Sequence, residues 1–209
     1  MCGRYLFLPD DQIEEIKNIL DRINQKFHGT PFLDKLKKGE IFPTEFVPVV
    51  VAGDKEKDAT IARWGLPMQG KKQVIINARA ETLLEKWTFK KIAHQRCLVP
   101  AAGFYEWQKQ DDSKQKLLIK PQGHSLFYMA GLYEKINLED GAEIDAFVII
   151  TTQPNSQIKP IHDRMPAILK KEHEDLWLFE KGDEKILRKL FEAVLKPYEG
   201  EMEIEKVKE

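Results

Sequence analysis

Cys2 is the residue whose type and position could do the most distinctive chemistry. Aminopeptidases that remove an initiator methionine prefer a small second residue, so we expect Met1 to be removed and the chain to begin with cysteine. An N-terminal cysteine carries an amine with a pKa of about 8 and a thiol with a pKa of about 8.5 on adjacent carbons. The amine can condense with an aldehyde, and the thiol can then close onto the imine to form a five-membered thiazolidine. Alternatively, the amine could act as the base for the thiol, as in N-terminal nucleophile hydrolases.

A second polar group follows a short apolar strand, where Ile75 and Ile76 lead into Asn77 and Arg79. The amide of Asn77 could orient an amine or a sugar hydroxyl, and the planar guanidinium of Arg79 could bind phosphate. Asparagine at the end of a strand is also a common turn residue, so the segment alone leaves both interpretations open.

A carboxylate lies among aromatic residues in the segment that ends with Phe104, Tyr105, Glu106 and Trp107. Apolar neighbours would raise the pKa of Glu106 and make it a proton donor and acceptor near neutral pH. Trp107 offers a flat face on which a base or sugar could stack. The alternative is a glutamate on an edge strand that faces water.

His162, Asp163 and Arg164 lie together between two prolines. The imidazole of His162 can transfer protons near pH 7, and Arg164 could bind a second phosphate. The same three residue types could instead form a structural salt bridge at a corner of the fold.

Composition and charge narrow the class of protein. Charged residues make up 32% of the chain and no apolar run reaches the roughly 20 residues that cross a bilayer, so we expect a soluble cytosolic protein without membrane contact. The net charge of −1 gives no broad basic footprint. Several of only seven arginines fall in the polar segments above, and their clustering indicates either positioned anion contacts or ion pairs with carboxylates. Two cysteines form no disulfide framework, and Cys97 is expected in the core. The histidines lack metal-ligand spacing, so no metal or other cofactor is predicted.

Hydrophobic periodicity predicts an α+β fold, a single β-rich domain with a curved sheet or distorted barrel and peripheral helices. Helices are predicted over residues 10–27, 81–95 (in one piece or two), 171–180 and 183–195. Strands are predicted over residues 46–51, 59–64, 73–76, 97–99, 104–109, 116–120, 125–133, 144–151 and 165–169, with a loop over residues 109–114. The domain is assigned to residues 1–196, and the tail over residues 197–209 is expected to be partly disordered because it has few apolar residues.

The order of the motifs along the chain is more specific than any one of them. From residue 2 to about residue 180, this order closely resembles that of the SRAP family. The name stands for SOS response-associated peptidase. The resemblance rests on Cys2-Gly3-Arg4-Tyr5, Arg63-Trp64-Gly65-Leu66, Asn77-Ala78-Arg79-Ala80-Glu81-Thr82, Gly103-Phe104-Tyr105-Glu106-Trp107, Thr151-Thr152 with Asn155, and His162-Asp163-Arg164-Met165-Pro166.

This resemblance implies a groove that binds single-stranded DNA at an abasic site and a thiazolidine crosslink between the open-chain sugar and Cys2. It implies that Asn77 positions the amine and the sugar, that Glu106 assists formation and reversal of the Schiff base, and that His162 assists opening of the sugar ring. It also implies DNA contacts by Arg4, Trp64, Arg79, Trp107 and Arg164, and removal of the family's own initiator methionine as the peptidase activity.

Two other functions use the same residues. The first is an N-terminal nucleophile peptidase or amidase, acting on its own N-terminus or on another protein. The second is a non-catalytic reader of DNA, which would bind as well with Cys2 replaced by alanine. Positioned arginines and tryptophans favour the DNA crosslink, with a weak lyase activity when the thiol is missing. We expect a monomer whose partner is single-stranded DNA containing abasic sites, and the sequence does not identify a recruiting partner in the replication machinery.

Overall fold

The computed structural model describes residues 2–8, 10, 12–68, 70–71, 73–110, 113–138 and 141–207. Its strands are β1 (Arg4–Phe7), β2 (Gly39–Ile41), β3 (Phe46–Ala52), β4 (Lys57–Trp64), β5 (Leu66–Pro67), β6 (Val74–Ile75), β7 (Asn77–Arg79), β8 (Arg96–Ala101), β9 (Gly103–Gln110), β10 (Ser113–Pro121), β11 (Phe127–Asn137), β12 (Glu143–Thr152), β13 (Met165–Pro166) and β14 (Met202–Lys206). Its helices are α1 (Glu14–Phe27), α2 (Pro31–Asp34), α3 (Trp87–Lys90), α4 (Glu174–Phe179) and α5 (Glu184–Val194), with 3₁₀ turns at Ala80–Thr82 and Lys171–His173.

Five of the strands close into a barrel. They pair in the order β11-β8-β3-β4-β12, and β12 pairs again with β11, which completes the ring. The β4–β12 pair is parallel and the other pairs of the ring are antiparallel. The short strand β7 adds to β12 in parallel. The predicted β-rich fold with a distorted barrel is therefore confirmed.

A second sheet, in the order β14-β10-β9-β1-β2, packs against the barrel. Its inner face contributes Tyr5, Phe104 and Ile119 to the same buried cluster as Val99 and Phe147 of the barrel. Strand β8 of the barrel continues almost directly into β9 of the second sheet. A Cβ at Gly103, where β9 begins, would lie 2.5 Å from a terminal methyl group of Leu118, so any larger residue there would displace that side chain.

Helices cover the barrel on another side. The apolar residues of α1, Ile19 and Ile23, belong to one buried cluster with Trp177 of α4 and Leu190 and Phe191 of α5. Spacings of three and four residues place such side chains on one helix face, and burial of that face stabilises these short helices. Within the described residues, no helix is long and apolar enough to cross a membrane.

The structure corrects several predicted elements. Residues 81–95 are mostly turns, and only Trp87–Lys90 is α-helical there. The helix predicted over residues 10–27 begins at Glu14, and residue 11 of that prediction lies outside the described residues. The loop predicted over residues 109–114 is shorter, because β9 extends to Gln110 and β10 starts at Ser113, with residues 111–112 outside the description.

The expectation of disorder in the tail is wrong for residues 202–206. These residues form β14, which pairs antiparallel with β10 and sets Ile204 opposite Ile119. Met202 is buried at the start of the strand. The burial of Met202 and the backbone pairing with the edge of β10 hold this segment against the sheet. Residues 208 and 209 lie outside the described residues.

Candidate active site

The second sheet and the barrel bring Cys2 and Asn77 together. Cys2 lies two residues before the start of β1, and Asn77 begins β7 at the edge of β12. The Asn77 amide donates a hydrogen bond from Nδ2 to the carbonyl oxygen of Cys2 at 2.8 Å. The other atom of that amide, Oδ1, is buried and has no hydrogen-bond partner among the described residues. Asn77 is thus tied to the Cys2 backbone and keeps one acceptor for a further donor.

Cys2 itself is fully buried. Its Sγ lies 3.6 Å from the carbonyl oxygen of Arg4. Burial raises the pKa of the Cys2 thiol far above its ordinary value, and the negative charge of Glu106 raises it further. The sulfur is therefore a neutral thiol at physiological pH, and it needs a partner that accepts its proton.

Glu106 reaches the same region from β9, because β1 and β9 pair with Arg4 opposite Tyr105. Its side chain points to the inner face of the sheet and is only 4% exposed. Burial raises the pKa of Glu106 to about 7, and the nearby charge of Asp163 contributes to the increase. The alternative of a water-facing edge glutamate is wrong, and the carboxyl group titrates near neutral pH.

His162 faces this carboxylate. Its Nε2 lies 3.9 Å from Oε2 of Glu106. Its Nδ1 accepts a hydrogen bond from the backbone N–H of Arg164 at 3.0 Å, and this partner assigns the proton of the neutral ring to Nε2. Burial lowers the pKa of His162, so the neutral ring predominates at pH 7. The exposed carboxylate of Asp163 lies 2.9 Å from Nδ1, and its charge partly offsets the lowering of the His162 pKa by burial.

Asn155 holds the turn that carries His162. Its Oδ1 accepts hydrogen bonds from the backbone N–H groups of Gln157 and Ile158, and its Nδ2 donates to the carbonyl oxygen of Tyr198 at 2.9 Å. The backbone N–H of His162 donates in turn to the Ile158 carbonyl. A surface groove lined in part by Gln153 and His162 opens beside this turn and gives solvent access to the imidazole.

Arg164 does not lie on the surface as the predicted DNA contact requires. Its guanidinium is buried and forms two hydrogen bonds with the carboxylate of Glu81, at 2.7 and 2.9 Å. A third hydrogen bond runs to the carbonyl oxygen of Thr151 at 2.6 Å. The prediction of a phosphate contact is wrong, because the carboxylate already occupies the fork that a phosphate would need. The structural salt bridge left open by the sequence is what forms, although with Glu81 as its carboxylate.

Trp64 is also wrongly predicted as a DNA contact. Its side chain is fully buried, and its indole N–H donates to the carbonyl oxygen of Ile76 at 3.0 Å. The indole stacks on Phe147 with 6.4 Å between ring centroids and meets Tyr5 edge-on at 5.3 Å. It is a core residue that fixes β1 against the barrel behind Cys2.

The remaining predicted DNA contacts do reach the surface. Arg79 is exposed at the end of β7, two residues after Asn77. Arg4 is partly exposed, and its guanidinium carbon lies 4.3 Å from the ring centroid of Phe42 and 5.0 Å from that of Trp107. Phe42 is 40% exposed. An arginine held between two aromatic rings gives a positive and stackable surface close to Cys2.

Three residues of this surface escaped prediction from the sequence. Lys116 lies opposite Trp107 in the β9–β10 pair, with its Nζ 4.5 Å from the Tyr105 ring centroid. The carboxylate of Glu40 on β2 contacts both Lys116 and Arg4. We call Arg4, Glu40, Phe42, Trp107 and Lys116 the Arg4 cluster. The signal that could have found Lys116 is the hairpin register of β9 and β10, whereas Glu40 and Phe42 arrive from a distant strand and the turn that follows it.

In the part of the chain that the structure describes, no group of three or more His, Cys, Asp or Glu side chains is arranged to hold a metal ion.

The fold and the site define a β-barrel domain that buries a cysteine at its second residue beside a carboxyl group of raised pKa and a neutral histidine. The chain belongs to the SRAP family, since the family model described as SOS response associated peptidase (SRAP) matches residues 1–209. The predicted membership is confirmed, and the match includes the tail.

Relatives and solved structures agree with this assignment. The chain is similar to "Abasic site processing protein YoqW" of Bacillus subtilis (strain 168), with 36% identity over 209 residues that cover 96% of this chain and 89% of the relative. It is also similar to "Abasic site processing protein HMCES" of Xenopus tropicalis, with 34% identity over 146 residues that cover 56% of this chain and 44% of the relative. A crystal structure of a protein from Bacteroides thetaiotaomicron superposes with a TM-score of 0.79 at 25% identity and covers 99% of this chain and 92% of its own.

Proposed function

We propose that this protein captures abasic sites in single-stranded DNA as a thiazolidine crosslink to Cys2, once Met1 has been removed. The observation that carries the proposal is the hydrogen bond from Asn77 to the Cys2 carbonyl, in a site where Glu106 has a pKa of about 7 and lies 3.9 Å from His162. The names of the relatives support DNA with abasic sites as the target.

The first chemical stage forms an imine. A neutral His162 with its proton on Nε2 can donate that proton to the ring oxygen of the sugar, and Glu106 can accept the proton of the hydroxyl, so that the ring opens to the aldehyde. The Cys2 amine then adds to the aldehyde carbon, and loss of water with a proton from Glu106 gives the imine. The unpartnered Oδ1 of Asn77 is suited to accept an N–H of this amine, which directs its lone pair to the aldehyde.

The second stage closes the thiazolidine ring. The thiol sulfur forms a bond to the imine carbon, the imine nitrogen gains a proton, and Glu106 can take up the proton that the sulfur loses. The net reaction consumes one aldehyde and one aminothiol and releases one water, so no oxidant or reductant is required. Because both nucleophiles belong to one residue, the second step is intramolecular and needs no further binding event.

The exposed residues around the site fit a single strand better than a duplex. Trp107 and Phe42 present rings on which unpaired bases can stack, and Arg4 supplies positive charge beside them. Arg79 supplies a further exposed positive charge at the end of the strand that begins with Asn77. In a duplex the bases stack on one another, so their faces are not available to stack on these aromatic rings. We therefore propose single-stranded DNA as the preferred form of the substrate.

The state of the thiol weighs against the peptidase function. A cysteine peptidase attacks with a thiolate, which positive neighbours normally stabilise. Burial and the charge of Glu106 have the opposite effect on Cys2, because both raise the pKa of its thiol. A neutral thiol that adds to an activated imine suits this environment better than a thiolate that attacks an amide.

A denaturing gel tests the proposal directly. Protein confirmed by mass spectrometry to begin at Cys2 would be mixed with a labelled single-stranded oligonucleotide carrying one abasic site. Parallel reactions would use the undamaged strand and an abasic duplex. We expect a slow-migrating band that requires the abasic site and forms more slowly on the duplex.

Two cysteine variants provide a matched pair. Cys2→Ala should remove the band, whereas Cys97→Ala should retain it, because Cys97 is equally buried but lies in the barrel core. A band that survives in Cys2→Ala, or no band from the processed wild-type protein, would refute the crosslink. Cleavage of a peptide substrate by the processed protein, without a DNA band, would favour the peptidase.

A further inference from the structure

Glu40 occupies the place in the Arg4 cluster where a phosphate would meet the two cations. Its Oε1 lies 3.0 Å from Nη1 of Arg4 and 2.8 Å from Nζ of Lys116. Its Oε2 lies 2.7 Å from the same lysine nitrogen. A carboxylate and a phosphate both present charged oxygen acceptors to these donors. Only one of the two anions can therefore bind Arg4 and Lys116 together at a given time.

The surroundings keep this internal ion pair formed. Burial alone would raise the pKa of Glu40, but the hydrogen bonds from Lys116 and Arg4 outweigh it and lower the pKa below its ordinary value. The side chain of Lys116 is only 9% exposed, and its ammonium group lies over the rings of Tyr105 and Trp107. The ammonium group is therefore fixed at this position, and another anion can use it only by taking the place of the Glu40 carboxylate.

The geometry of Arg4 adds to this restraint. The guanidinium group lies over the rings of Phe42 and Trp107, and Glu40 contacts one of its terminal nitrogens. All three charged residues lie on the outer face of the sheet, because Glu40 pairs with Leu6 across β1–β2 and Lys116 pairs with Trp107 across β9–β10. The charges of the cluster sum to +1, half of what its two cations would present alone.

We infer that Glu40 competes with the DNA backbone for Arg4 and Lys116 and so weakens the binding of undamaged single strands. This inference rests on the proposed function, since it assumes that the Arg4 cluster faces the bound strand. A strand without damage then has only a partly neutralised surface to bind and dissociates readily. An abasic strand is retained by the covalent bond to Cys2, which Glu40 does not touch. Glu40 is thus a specificity residue that lowers the affinity for non-reacting DNA.

Fluorescence anisotropy with an undamaged oligothymidylate, titrated at several NaCl concentrations, measures this competition. Glu40→Gln changes the cluster charge from +1 to +2, so it should bind several-fold more tightly. Its slope of log affinity against log salt should steepen by about 0.7, the increment for one more phosphate contact on a single strand. Lys116→Gln lowers the charge to 0 and should shift the slope by about the same amount in the opposite direction.

Two further variants separate local competition from charge or misfolding. Glu203→Gln removes a carboxylate that pairs with Lys120 on the opposite edge of the same sheet, and it should leave the slope unchanged. The double variant Glu40→Gln/Lys116→Gln restores the charge of +1 and should restore the wild-type slope. Thermal denaturation of each variant shows whether it is folded at the assay temperature.

The results distinguish three outcomes. Weaker binding or an unchanged slope in folded Glu40→Gln would overturn the inference and would mean that Glu40 orients Arg4 for DNA. If Glu40→Gln does not fold, an unchanged slope in Lys116→Gln would overturn it instead. The abasic crosslink of the wild-type protein is scored separately on the denaturing gel, and its absence would refute the proposed function. If the crosslink forms but the salt slopes of the variants equal that of wild type, only the role of Glu40 is refuted.

Discussion

Replacement of Glu106 by glutamine should stabilise the protein at alkaline pH and at the same time remove its chemistry. The side chain is buried beside Cys2 and His162, and its pKa is raised to about 7 from an ordinary value of 4.5. A buried carboxylate is costly to ionise, so the folded state prefers the neutral acid. Glutamine keeps the shape and hydrogen-bonding capacity of that acid but cannot ionise.

The sign and size of the effect follow from the shift in pKa. Between pH 4.5 and 7 the folded protein holds a proton on Glu106 that the unfolded chain has released, so stability decreases as the pH rises through this window. At 1.36 kcal/mol per unit, the penalty reaches about 3 kcal/mol above pH 7. For a chain of this size that corresponds to roughly 6–12 °C in Tm.

The assay is a comparison of thermal unfolding for wild type and Glu106→Gln at pH 5 and at pH 8, with mass spectrometry to confirm that both begin at Cys2. The difference in Tm between the two proteins should be small at pH 5 and should favour the variant at pH 8. Taking the difference at each pH removes the contribution of other titrating groups. The crosslink rate of the variant should fall by about 100-fold or more, the usual contribution of a general acid–base group.

A difference in Tm that is the same at both pH values would mean that Glu106 does not titrate between pH 5 and 8, and it would refute the argument from burial. A crosslink rate close to that of wild type would refute its role in proton transfer, whatever its pKa. Increased stability together with lost activity is the result that both parts of the argument require.

Arg164→Lys should slow the crosslink at saturating DNA, because it loosens the bidentate pair with Glu81 and the adjacent His162 turn. The salt dependence of DNA binding, measured by anisotropy, should not change. Trp107→Ala should weaken binding of single strands by about 1–3 kcal/mol without slowing the crosslink at saturation. Arg96→Met removes three hydrogen bonds to backbone carbonyls and should cost about 3 kcal/mol in unfolding by denaturant, with the crosslink retained under native conditions.

The residues of the candidate site stand out in the sequence because their types are unusual where they occur. A cysteine at position 2, a glutamate between aromatic residues and a histidine between prolines each break the pattern expected of a strand or turn. Strand alternation likewise predicted most of the barrel, since burial on one face leaves a period of two in the sequence. These signals are local, and the structure places Cys2, Asn77, Glu106 and His162 in one region.

Predictions failed where a residue's partner is remote in sequence. Arginine and tryptophan serve both DNA contacts and cores, and their type alone does not separate the two. Glu81 precedes Arg164 by 83 positions, so the pairing that removes Arg164 from the DNA surface depends on the fold. The same holds for Glu40 and Lys116, which are 76 positions apart. Trp64 is the last residue of β4, and whether its side chain is buried or exposed depends on how the barrel closes around that strand.

The architecture also restrains Cys2, as the proposed crosslink requires of a nucleophile. Terminal residues are normally frayed, and a mobile aminothiol would react with any aldehyde it met. Here β1 lies between β9 and β2, so backbone hydrogen bonds hold the strand on both sides, and Asn77 of the barrel binds the carbonyl of Cys2 from another direction. The burial that fixes the cysteine also raises the pKa of its thiol and of Glu106. In the proposed reaction, the thiol stays neutral until a carbonyl carbon is delivered beside Glu106 and His162, so the same burial that positions Cys2 would protect it from reacting elsewhere.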